Sequence, residues 1–193
     1  MGGNMNKIPV IVEALCYLLS KLKQADKIQL VKLMYLADKY HLMNYGRTIS
    51  DDVFIALGNG PAGSRTMDVL EYDPYVLGDC LSMAKGYFKK GKGHQYLVGD
   101  KCDAESLEML SESDIEALDF VINNFGTMDK WAVVNYTHTL REWKQFEHLF
   151  DSGKTKKESL KTEDLLFPVG DRYFTISEEH IEESRKILTG TFD

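Results

Sequence analysis

The chain has 193 residues, 44% hydrophobic and 27% charged, with a formal net charge of −7 and a pI near 5.3. That is enough apolar material for one sizeable core. The acidic balance argues against a protein whose main task is gripping nucleic acid, because phosphate contact needs clustered Lys and Arg.

Met1-Gly2-Gly3-Asn4 ahead of Met5 reads as an expression remnant, and Asn6 breaks the myristoylation pattern that Gly2 would open. The apolar run from Ile8 to Leu19 is too short to span a bilayer and carries Glu13, so a soluble, cytoplasmic protein is expected. Val12, Leu15, Leu18, Leu19 and Leu22 predict an amphipathic helix over Ile8 to Leu22, with Pro9 in its first turn. The short link Lys23 to Asp26 predicts an antiparallel helix pair, with Asp26 as N-cap of the second helix. The three cysteines, Cys16, Cys80 and Cys102, are odd in number and lack CxxC spacing. Such usage suits a reducing compartment and excludes a disulfide framework or a Cys-based zinc site.

Lys27 to Tyr45 is apolar at Ile28, Leu30, Val31, Leu33, Met34, Leu36, Ala37, Tyr40, Leu42 and Met43, and Gly46 follows as a stop. Gln29, Lys32 and Lys39 fall on one narrow stripe. A helix apolar over more than half its circumference has to be wrapped by other elements, so this is the expected central helix. Asp38 lies deep within it and is expected to find a partner in Arg47, Arg65 or a backbone N–H, because an unpaired buried carboxylate is costly.

Beyond Gly46, Asp52 to Leu57 reads as a loop and short strand. Gly58 to Gly63 reads as dense turn chemistry without a phosphate-loop pattern, and a helix restarts at Ser64. Tyr75 to Lys90 gives no clear period, and Lys89 to Gly93 reads as a solvated basic tip. His94 to Val98 and Ser106 to Leu110 read as the two strands of a small hairpin. Ser111 with Asp114 forms a capping-box variant opening a helix to Phe125, and a further helix runs from about Lys130 to Thr139. A charged link spans Asp151 to Lys161. Arg172 to Ile176 alternates like a final strand, and Ser177 caps a last helix whose buried side is Ile181, Ser184 and Leu188. The whole reads as a mainly α (α+β) fold: a helical domain around the central helix with a small antiparallel sheet or hairpin.

Two sets of residues in this order carry a family resemblance. One is Lys32-Leu33-Met34-Tyr35-Leu36-Ala37-Asp38 followed by Phe54-x-Ala56-x-x-x-Gly60-Pro61. The other is Leu110-Ser111-x-x-Asp114, a helix, then Thr137-His138 with Trp143 downstream. The chain resembles the SocA-like, or Panacea, antitoxin domain family, also met as phage-associated proteins. It departs at Ala62, where the family often has a branched residue, and at Glu142, where it often has Pro before the tryptophan.

The resemblance implies a domain over residues 5–150 and a C-terminal extension over 151–193. It implies an antitoxin of a type II-like toxin–antitoxin system that neutralises a cognate protein toxin by direct binding. The alternative is an adaptor delivering the toxin to a protease. No enzymatic activity, cofactor, metal, nucleic acid or membrane is implied. Lys32, Tyr35, Ala37, Asp38, Gly60, Pro61, His138 and Trp143 are family-motif positions expected to be structural, while Arg141, Trp143, Asp51 and Asp52 are candidates for partner contact. His138 is also the residue on which a hydrolase would rest, but no nucleophile or metal spacing accompanies it. Paired acids such as Glu178-Glu179 and Glu182-Glu183 read as solvated faces.

Overall fold

The computed structural model describes residues 7–191, so the expression remnant expected at Met1 to Asn4 lies outside the described residues. Helix α1 (Ile8–Leu22) leads through a three-residue strand β1 (Gln24–Asp26) into α2 (Lys27–Tyr45). The Asp26 carboxylate accepts from the Ile28 N–H at 3.0 Å, which is the expected N-cap. At the other end Gly46 takes the left-handed conformation (φ 69°) and its N–H bonds the Leu42 carbonyl. A Cβ there would also lie 2.5 Å from Ile187, so close packing of the last helix adds to the demand for glycine.

The link 23–26 is more than a turn. It pairs with β5 (Gln95–Val98), which pairs in turn with β4 (Phe88–Lys90), giving an antiparallel sheet of order β1-β5-β4. The basic stretch expected as a solvated tip therefore begins inside a strand. Lys90 reaches Glu71 at 2.7 Å and Lys89 reaches Asp100 at 2.6 Å. The partner expected at Ser106 to Leu110 forms no strand. Its Met109 N–H is taken by the Glu13 carboxylate at 2.8 Å, with Glu108 N–H longer at 3.4 Å, and side-chain acceptors replace a ladder.

Residues expected as pure turn form a hairpin. β2 (Phe54–Leu57) and β3 (Gly60–Gly63) are joined by Gly58-Asn59 alone, with Leu57 opposite Gly60. β6 (Lys157–Ser159), inside the charged link, adds to the other edge of β2. After β3 come α3 (Ser64–Glu71), α4 (Pro74–Leu77), a 3-10 turn over Gly78–Cys80 and α5 (Leu81–Tyr87), which settle the region of unclear period as short helices. Next follow α6 (Glu112–Phe125), opened by the Ser111/Asp114 capping box, then α7 (Lys130–His138), α8 (Arg141–Lys144), α9 (Glu147–Asp151) and α10 (Glu178–Thr189). Arg172 to Ile176 is not a strand, because the Tyr173 and Phe174 N–H groups both turn back onto Asp171 Oδ1.

The fold is thus mainly α with two small antiparallel sheets, wrapped around α2. Leu160, Leu165, Leu166, Phe174 and Ile181, all from the C-terminal segment, are buried in the same core as α1 and α2. Cys16 and Cys102 form a disulfide with Cα atoms 5.7 Å apart, while Cys80 is free. This corrects the exclusion of a disulfide: an odd count leaves one pair and one spare thiol. No helix among the described residues is long and apolar enough to cross a membrane.

Candidate functional site

Four of the family-motif positions, Lys32, Pro61, His138 and Trp143, far apart in sequence, gather with Thr137 around a fifth, Gly60. Its φ of +94° is left-handed, and a Cβ built on it would stand 2.6 Å from Thr137 Oγ1, 3.0 Å from Lys32 Nζ and 3.2 Å from His138 Cδ2. Lys32, on α2, donates to the Pro61 carbonyl at 2.6 Å. Thr137 donates to Val134 O. The His138 ring stacks on Trp143, with centroids 3.8 Å apart and planes 2° apart, and the Trp143 indole donates to Leu57 O at 2.7 Å. The Thr-His and Trp motifs therefore hold the β2–β3 hairpin, and the hairpin holds Lys32.

Lys32 is only 3% exposed, and burial lowers its ammonium to about 7. Burial also lowers His138, with Lys32 adding to the effect, and among the described residues its buried Nε2 has no hydrogen-bond partner. Lys32 and Lys39, on the narrow polar stripe of α2, are 3% and 0% exposed. Both are inside, because neighbouring elements cover that stripe of α2.

About two turns further along α2 a second polar group is enclosed. Lys39 Nζ lies 2.9 Å from Glu142 Oε1 and donates to Leu165 O at 2.7 Å, and the Tyr35 hydroxyl donates to the same Glu142 oxygen at 3.0 Å. All three side chains are buried. Burial lowers Lys39 against the pull of Glu142, and it raises the Tyr35 phenol, an effect Glu142 adds to.

Asp38 does find a partner, and of the candidate kinds it is the backbone. Oδ1 accepts from the Ile49 and Ser50 N–H groups at 2.8 and 2.9 Å, and Oδ2 accepts from the Ser50 hydroxyl. Burial raises it to about 7, with those donors opposing the rise. Arg47 turns instead to Asp114 at 3.0 Å, and Arg65 turns to the Asp51 carbonyl. Ala37 is fully buried.

The four residues considered for partner contact divide. Asp52 is 7% exposed and caps the start of α3, accepting from Arg65 N, Thr66 N and Thr66 Oγ1 within 2.9 Å. Trp143 is 3% exposed. Both have their polar atoms engaged by the fold. Arg141 and Asp51 are exposed, with the Arg141 guanidinium 4.5 Å from the centre of the Phe167 ring.

A cleft of about 300 Å³ opens beside Lys32. Ile28, Val31, Leu57, Ala62 and Met67 give it apolar walls, and Asn59 and His94 also line it. Its remaining charges are paired: Lys130 with Asp26 at 2.8 Å, and Lys27 with Glu71. Nothing in the sequence pattern pointed to this cleft, because its lining comes from the central helix, both sheets' loops, α3 and α7.

Of the histidines, His41 comes nearest to a hydroxyl, with Nε2 3.0 Å from Ser113 Oγ and 3.2 Å from Asp114 Oδ1, and Nδ1 2.8 Å from Arg47 O. It is fully buried, and Ser113 is outside the cleft lining. This network ties α2 to the start of α6. Among the described residues no three His, Cys, Asp or Glu side chains are grouped to hold a metal.

Comparison with curated proteins and with solved structures gives no match. A family model described as antitoxin SocA-like, Panacea domain, matches residues 30–144, a span that contains every motif position meeting around Gly60. With well over half of its length so matched, the chain belongs to the SocA-like antitoxin family with a Panacea domain.

Proposed function

We propose that the protein is an antitoxin that neutralises a cognate protein toxin by direct binding in the cytoplasm, without enzymatic activity of its own. The observation that carries this reading is the family match over residues 30–144. The burial of the motif side chains agrees with it: they build a scaffold, and partner choice is left to the surface. Arg141 and Asp51 are exposed candidates for that surface. The domain is taken as residues 5–150, and the extension over 151–193 completes its core while helping to choose the partner.

The test is co-expression with the reading frame next to this gene. Growth rescue with a stable complex recovered by affinity purification supports neutralisation. Rescue with protease-dependent disappearance of the toxin supports the second reading, an adaptor that delivers the toxin to a protease. Rescue without physical association overturns both.

A further inference from the structure

We propose that the cleft beside Lys32 is a binding site for a single carboxylate carried on a short aliphatic stem. The ammonium of Lys32 is nine-tenths or more buried, yet among the described residues it has one acceptor, the Pro61 carbonyl, and no carboxylate within ion-pair distance. An ammonium carries three donors. A clamp on Pro61 alone needs only one, and a neutral donor would make it without the cost of burying charge.

The lining sets the charge and shape of the ligand. Lys27 and Lys130 are already matched by Glu71 and Asp26, so Lys32 is the lysine of the lining left without a carboxylate. A monoanion balances it, whereas a phosphate dianion brings one negative charge too many. Ile28, Val31, Leu57, Ala62 and Met67 suit an aliphatic stem behind the anion. Two sources offer this chemistry: a free short-chain acid, and a glutamate side chain of a protein. The site stands whether or not the antitoxin reading does, since the test uses this protein alone.

Binding an anion favours the protonated lysine, so affinity should fall as pH rises through about 7, the value burial imposes on Lys32. The other titratable groups around it are Asp26, Lys27, Glu71, His94 and Lys130 in the lining, and His138 across Gly60.

The experiment is an NMR titration of the isotopically labelled full chain, following the Lys32 side chain and the Asn59 and Ala62 amides. The probes are sodium butyrate, the capped peptide acetyl-Gly-Glu-Gly-amide, neutral butyramide and inorganic phosphate. Butyrate or the peptide should move these signals saturably, and about 25-fold more weakly at about pH 8.5 than at about pH 6.5 if only the ammonium form binds. Binding of butyrate identifies a free acid as sufficient, and binding of the peptide alone identifies a protein side chain; either supports the site.

Lys32→Met should abolish the response. So should Met67→Phe, which narrows the cleft and leaves the lysine in place, should the first variant fail to fold. His94→Gln should keep both binding and its pH dependence. Silence from butyrate and the peptide in the wild-type chain overturns the proposal, as does an equal response to butyramide or phosphate, or an affinity independent of pH.

Discussion

Replacing Lys32 by Met is expected to stabilise the protein, by an amount set by pH. Burial lowers the Lys32 ammonium from 10.5 to about 7. At about 1.4 kcal/mol for each tenfold change, holding the charged form inside costs on the order of 5 kcal/mol. Because the folded-state value is the depressed one, that cost is complete below about pH 7. It shrinks as pH climbs from there towards 10.5 and is gone above it. Methionine keeps the unbranched stem and removes the charge, but it leaves the Pro61 carbonyl without its donor, a loss of about 1–3 kcal/mol. The net gain is therefore about 2–4 kcal/mol near pH 6, turning into a loss of up to about 2 kcal/mol by about pH 10. Urea unfolding of both proteins across that range, followed by tryptophan fluorescence, measures it. A variant less stable than wild type at low pH, or a difference that ignores pH, would refute the claim that Lys32 is a desolvated cation. Saturating butyrate should narrow the difference, since it stabilises only the protein that keeps the lysine.

Four further outcomes follow from the same geometry. Glu142→Ala strands the fully buried Lys39 and should cost about 3–5 kcal/mol, most of it recovered when Lys39→Met is added; calorimetric melting of the single and double variants decides. Gly60→Ala must accept a left-handed backbone and a Cβ 2.6 Å from Thr137 Oγ1, so a loss of about 2–4 kcal/mol is expected in urea unfolding. Reducing the Cys16–Cys102 bond, which closes a loop over a sequence separation of 86, should remove up to about 4 kcal/mol and speed hydrogen exchange at Glu108 and Met109; unchanged exchange would show that Glu13 alone fixes that loop. Deleting everything after Phe150 removes Leu160, Leu165, Leu166, Phe174 and Ile181 from the core and the Leu165 acceptor from Lys39, so cooperative unfolding should be lost; a folded truncated monomer would contradict this.

The parts of this fold that can be read from sequence are those whose signals are local. Asp26 caps α2 two residues on, Ser111 and Asp114 close a box within one turn, and Gly46 ends a helix whose period is visible without any partner. The parts that cannot be read are held by distant or sideless contacts. β6 is Lys157-Glu158-Ser159, a strand with no apolar alternation, because it pairs with β2 through its backbone on an edge. Lys32 and Lys39 look like the wet stripe of an amphipathic helix, and the groups that enclose them lie as far off as Pro61, Glu142 and Leu165. Glu142 gives no local clue to the second pair, because Arg141 and Lys144 flank Glu142-Trp143 and the stretch reads as a solvated turn. The site suffered the same way. Each motif was visible, but their meeting at Gly60 is a property of the packing.

The polar residues of α2 explain why a helix so apolar still sits in one register. Apolar contacts tolerate sliding, whereas a hydrogen bond fixes direction and distance. Along α2, Lys32 holds the β3 strand, Asp38 holds the Ile49–Ser50 turn, Lys39 holds α8 and the Leu165 segment, and His41 holds the start of α6. Four buried groups thus fix five neighbours. Three are balanced where they stand: Asp38 by backbone and hydroxyl donors, Lys39 by Glu142, and His41 by Asp114, Ser113 and the Arg47 carbonyl. Lys32 holds its neighbour with a charge that no carboxylate among the described residues answers, and it is the one that borders the cleft. A clamp required only for stability would lose nothing by giving up that charge, so its presence is better explained by what the cleft receives.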